Sequence, residues 1–265
     1  MRSIDVIMEK SDNENRNGSD ILVKRLEVVW KCIQQLKTER NNSEDQSDKQ
    51  SSPLVPMMEA LPHLHFPEGT LLDFYQYGSY FGSQPVFYVR KVTDARIPHF
   101  SKEATADDPN SDVVGVLDAV SPAFTPEGMW ELILLLDFGE QFGLVWHANY
   151  SQRVVVYDMQ DFLSDKYFGE KISGMLYGFP PRSPELLSWQ TAPKVTMQEN
   201  SALVEYCMFS PFGGFAMIQR TVMFEREPVP NAKLARLSSL PRFRCPKLLK
   251  PVVVKEFEYN CGIYF

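Results

Sequence analysis

The chain has 265 residues, 44% of them hydrophobic and 23% charged, and its 27 basic and 34 acidic residues leave a formal charge of −7. These proportions exclude wholesale disorder, collagen-like repetition and supercharged classes. The negative balance opposes any general attraction to nucleic acid or to an anionic membrane surface. The length allows one large domain or two modest ones.

Residues 1–18 are polar and charged with no periodic apolar pattern and read as a disordered lead-in. The first 25 residues hold no apolar core of the kind a signal peptide needs, and no later run reaches the length of a membrane span, so the protein is expected to be soluble and cytoplasmic. From Ser19 the pattern changes. Ser19 or Asp20 can cap a helix, and Leu22, Leu26, Val29, Ile33 and Leu36 recur at intervals of 4, 3, 4 and 3, one apolar stripe of an amphipathic helix over residues 19–40. That stripe must be buried, either against its own domain or in a seam with a partner helix or a second copy. Residues 41–52 contain no apolar side chain and cannot repay their ordering entropy, so 41–55 reads as a polar linker before a domain at 56–265.

Beyond about Met57, prolines and glycines punctuate short β-branched and aromatic runs. Leu71–Tyr77 and Val86–Val92 predict a hairpin with a loop longer than two residues, followed by an acidic loop over 101–112 and a strand at Val113–Asp118. For 126–136 two readings compete. Thr125, Pro126 and Glu127 suit a helix start, whereas Gly128 and the all-apolar Leu132–Leu136 favour a strand, Glu131–Phe138. With the strand preferred, Phe142–Asn149 and Arg153–Tyr157 complete a meander. Asp158 can cap a short helix, and Leu203–Phe209 with Phe215–Arg226 form a second hairpin around Gly213-Gly214. A last strand runs from Pro251 to Tyr259. The fold class is α+β, with predominantly antiparallel, meander-rich sheets and two or three helices behind the leading amphipathic helix.

Signals for chemistry are sparse. Cys32, Cys207, Cys245 and Cys261 are far apart with no C-x-x-C, a pattern of reduced thiols and not of zinc. His63 and His65 would share a side of an extended segment, but no third ligand stands at a supportive spacing, so no metal is expected. No phosphate-binding or nucleophile-elbow motif occurs and no cofactor is implied. Trp146, His147, Asn149 and Tyr150 crowd an indole, an imidazole, an amide and a phenol into one strand end. If the protein is an enzyme, His147 is the general base there, Glu131 or Asp137 orients it, and Cys207 is a conceivable nucleophile. Between Pro228 and Lys255 stand seven basic residues and no acid, a strap that could meet an acidic partner or a phosphate backbone.

The leading helix, the Leu61-Pro62 pair and the compact α+β body with meander strands resemble the SMI1/KNR4-type binding fold. That resemblance implies an immunity or scaffold role without catalysis. The chain departs from the pattern after Leu61-Pro62, where no Asn-Gly-Gly-like turn follows and Tyr77-Gly78-Ser79 stands instead. The sequence therefore favours a non-enzymatic intracellular interaction protein, with Tyr75, Tyr77, Tyr80 and Phe81 as exposed anchors for a protein partner. The alternatives are a small-molecule-binding or hydrolytic enzyme centred on Trp146–Tyr150 and nucleic-acid binding through the 233–255 strap.

Overall fold

In the computed structural model, residues 3–42, 52–79, 82–97, 114–146, 153–162, 188–210, 216–226 and 252–260 are described. The leading helix, α1 (Ser3–Asn42), starts earlier than the capping signal predicts, so Ser19 and Asp20 sit inside it and most of the expected lead-in is helical. Its stripe is consumed within the same chain. Leu22, Leu26, Val29, Ile33 and Leu36 are all buried in one cluster with Trp130, Leu134 and Phe138. The Trp130 Nε1 also donates to the Leu22 carbonyl at 2.9 Å. The stripe named for a seam along residues 19–40 is thus covered by this chain's own core, and on the opposite face Ile21 and Val28 are exposed.

Ser52 opens the body. Its hydroxyl accepts from the Leu54 amide at 3.0 Å and donates to the Leu72 carbonyl at 2.5 Å, joining the start of α2 (Val55–Ala60) to the first long strand. After β1 (Leu64–His65), the first hairpin is β2 (Thr70–Ser79) with β3 (Gly82–Lys91). Its register continues to Ser79 opposite Gly82, so only residues 80 and 81 lie between the strands, a shorter connection than the sequence suggests. β4 (Val114–Gly115) is a fragment of the predicted strand, and the chain passes at once into the short helix α3 (Val116–Ala119) and then β5 (Ser121–Pro122), which pairs with β1.

The segment read as a strand at Glu131–Phe138 is helical. α4 (Pro126–Ile133) is capped by Thr125, whose hydroxyl accepts from the Gly128 amide at 3.2 Å, with Pro126 in the first turn. It runs into a π-helical turn (Leu134–Phe138) and a 3-10 turn (Gly139–Phe142). Gly128 is needed for packing: a Cβ there would stand 2.1 Å from the Ala123 carbonyl oxygen. The apolar run is buried all round because this helix lies inside the molecule, which periodicity alone does not distinguish from a buried strand.

Of the expected meander, the described residues show β6 (Val145–Trp146) and β7 (Val154–Val156), which join different sheets, while 147–152 lie outside the described residues. β2, β3, β4 and β6 form one antiparallel sheet; β7 joins β8 (Lys194–Met197), β9 (Ser201–Ser210), β10 (Ala216–Glu225) and β11 (Val252–Asn260) in another. The β9–β10 hairpin and the final strand are as the sequence predicts. A bulge between Thr221 and Val222 interrupts the β10–β11 pairing. The fold is thus α+β with antiparallel sheets. Among the described residues no helix is long and apolar enough to cross a membrane.

Candidate functional site

The two carboxylates expected to serve a catalytic histidine lie on one helical segment but meet different partners. Glu131, on α4, is fully buried; one oxygen accepts from the His63 amide at 2.8 Å, and the other meets His63 Nδ1 at 2.7 Å and Arg25 Nε at 3.5 Å. This ties α1 to the β1 segment through α4. His63 is thus held by an acid 68 positions away in the chain. Asp137, in the π turn, meets the opposite sheet: the Tyr206 hydroxyl donates to its Oδ2, and Arg220 Nη1 reaches the same oxygen at 3.2 Å. Arg220 also bridges to Glu256 at 2.5 Å, joining β10 to β11. Burial first, then the Asp137 carboxylate, push the Tyr206 phenol far above its ordinary range.

Both acids therefore act as fasteners between elements. Cys207 is likewise ill suited to attack: burial pushes its thiol up to about 12, and its Sγ donates to the Gln190 carbonyl at 3.5 Å. His147, Asn149 and Tyr150 lie outside the described residues, and Trp146 stands in β6 opposite Gly82. A third ion cluster closes the first hairpin, where the fully buried Asp73 accepts from Arg90 Nε at 2.7 Å and from Arg96 Nη2 at 2.9 Å. Among the described residues no group of three potential metal ligands comes together.

The aromatic anchors divide. Tyr75 is core, 1% exposed and packed against Tyr88 at a ring separation of 6.0 Å, so its proposed surface role is corrected. Tyr77, two positions on, points out and is 44% exposed. Tyr80 and Phe81, like the strap over 233–251, lie outside the described residues.

A cavity of about 240 Å³ opens between α1 and β7. Leu26 and the buried Val154 and Val155 line its floor, while half-buried Trp30 and Tyr157 give it aromatic surface. Trp30 stands one position past Val29 on the stripe, which turns its indole to the margin of the α1 footprint, with Glu27 and Lys31 in the next row out. β7 places Tyr157 at its end, where Asp158 stops the strand by accepting from the amides of Gln160 and Asp161 at 2.7 and 3.1 Å and so starting α5 (Met159–Phe162).

Carboxylates surround the phenol. Its pKa is raised by burial first and then by the nearby charges of Asp161, Glu27 and Asp158, and it hydrogen-bonds to Asp161. The cavity is smaller than the roughly 300–1,000 Å³ of sites that enclose a drug-sized ligand, so it suits a single side chain or a small ion. Sequence reasoning missed this cavity because its two walls are more than a hundred residues apart; the only local signals were Trp30 beside the stripe and the Tyr157-Asp158 pair. Comparison with known proteins finds no match: no family model fits the chain, and no curated protein or solved structure resembles it.

Proposed function

We propose that this chain is a non-catalytic, cytoplasmic binding protein that takes an anchor side chain of a protein partner into the cavity between α1 and β7. The observation that carries the reading is the cavity's make-up: aromatic surface at the margin, an aliphatic floor, and, among the described lining residues, no histidine, cysteine, serine or threonine. Half-exposed aromatic side chains beside a small, mostly apolar pocket are the usual composition of an interface hot spot. The engagement of Glu131 and Asp137 in interelement ion pairs, with a Cys207 thiol that stays protonated, weighs against the hydrolytic alternative.

The test is a photo-reactive phenylalanine analogue at exposed Lys31, on the rim, compared with one at exposed Val114, remote in sequence and on another sheet. The reading expects a discrete cross-linked partner from position 31 and none from position 114, with the product lost in a Trp30→Leu background whose thermal unfolding is unchanged. Equal cross-linking from both positions, or a product indifferent to Trp30→Leu, overturns it.

A further inference from the structure

We infer that the α1–β7 cavity recognises a basic side chain, the ammonium of a lysine or the guanidinium of an arginine, projecting from the partner. The inference rests on the binding reading above and names the chemistry of its anchor. The first observation is geometric. Trp30 and Tyr157 line a cavity of about 240 Å³ together with the aliphatic Leu26, Val154 and Val155, so a chain lying across its mouth can pack its stem on apolar surface and keep its head beside the aromatic rings at the margin. A cation within about 6 Å of an indole or phenol ring is attracted by the ring quadrupole, and the methylene stem of lysine or arginine packs on apolar surface while its head stays near water.

The second observation is charge. Glu27 lines the cavity, and Asp158 and Asp161 both act on the Tyr157 phenol, Asp161 by a hydrogen bond. Among the described lining residues Glu27 and Lys31 balance one another, and the excess of negative charge comes from Asp158 and Asp161, which flank the Tyr157 phenol just outside the lining. A neutral apolar anchor gains nothing from that arrangement, and an acidic one is repelled by it. The formal charge of −7 on the whole chain adds to the effect by steering basic partners toward the surface. The three carboxylates are on exposed residues, which keeps the desolvation of the entering head small.

The experiment uses the full chain labelled with 5-fluorotryptophan. Its four tryptophans yield four fluorine signals, and that of Trp30 is assigned by its loss in Trp30→Phe. The probes are the Nα-acetyl methylamides of lysine, arginine and norleucine, the last an uncharged chain of similar length. The Trp30 signal is expected to move saturably with the two cationic probes, with affinity about tenfold above norleucine. The preference should shrink about threefold or more in Glu27→Gln/Asp161→Asn, two exposed positions where the fold is undisturbed, and also in high salt. Norleucine binding as tightly as lysine overturns the inference but leaves an apolar-anchor reading of the cavity standing. No movement of the Trp30 signal with any probe overturns it as well, and the cross-linking at position 31 then decides the binding reading by itself.

Discussion

The Glu131 carboxylate holds His63 twice, through its backbone amide at 2.8 Å and its ring Nδ1 at 2.7 Å. Glu131 is fully buried, and one of its oxygens also lies 3.5 Å from Arg25 Nε on α1. Removing it leaves a part-buried amide without its acceptor and takes away the shared partner of the His63 ring and the Arg25 guanidinium. Glu131→Ala should therefore destabilise the protein by about 2–3 kcal/mol, and Glu131→Gln, which keeps an acceptor, by about 1 kcal/mol. Urea unfolding of both variants checks the order; an alanine variant within error of the parent would refute the anchoring role.

Gly128 tests the difference between propensity and packing. Alanine is a better helix former by about 1 kcal/mol in an exposed helix. At this position its Cβ would fall 2.1 Å from the Ala123 carbonyl oxygen, a backbone atom that cannot rotate away. Gly128→Ala is expected to lower stability by about 1–3 kcal/mol. A rise in the thermal midpoint would show that the Ala123 segment yields easily.

Cys207 should make the protein sensitive to alkali. Its thiol titrates near its ordinary value of 9.0 when unfolded and is pushed up to about 12 in the folded chain. The folded state then holds a proton that the unfolded state has released, so this contribution is complete below pH 9 and declines as pH rises from there towards 12. The decline is about 1.4 kcal/mol per pH unit for one group. Tyr206, Tyr88 and Tyr157 are raised as well and act in the same direction above pH 10. Urea midpoints from pH 7 to 11 should be level and then fall, and Cys207→Ala should flatten the fall between pH 9 and 10. An unchanged slope in that variant would contradict the assignment.

Deleting α1 addresses the body as a whole. Each of Leu22, Leu26, Val29, Ile33 and Leu36 is buried, and full burial of such a side chain is worth about 1.5–3 kcal/mol. Together they rival the about 5–15 kcal/mol of net stability that a domain has. A chain beginning at Pro53 should therefore lose cooperative thermal unfolding and elute as an expanded or aggregated species in light-scattering chromatography. A compact truncated chain with a sharp transition would mean that α1 is dispensable.

Much of the fold was legible. The α1 stripe, the β2–β3 and β9–β10 hairpins, the Asp158 cap and the last strand each carry a local signature, a periodicity or a turn, that burial or pairing in the structure bears out. The α4 segment was misread because a helix buried on all sides loses its amphipathic period, and because Gly128 was weighed as a breaker when it is a packing residue. Tyr75 was misread as an anchor because alternation along β2 assigns a face but does not say which face is covered.

The candidate site was legible only in fragments. Trp30 beside the stripe and Tyr157 before a capping aspartate are visible in the chain, as are the acids Glu27, Asp158 and Asp161. By itself the sequence determined the leading helix, the antiparallel α+β class and the absence of any recognisable catalytic motif, because those follow from short-range periodicity and residue type. Only the tertiary structure decided that the helix stripe is buried within its own chain, that Glu131 pairs with His63 and Asp137 with Tyr206, and that Trp30 and Tyr157 share a cavity. Those are contacts between residues separated by scores of positions, and they are set by how buried faces of helix and sheet pack, which no local pattern encodes.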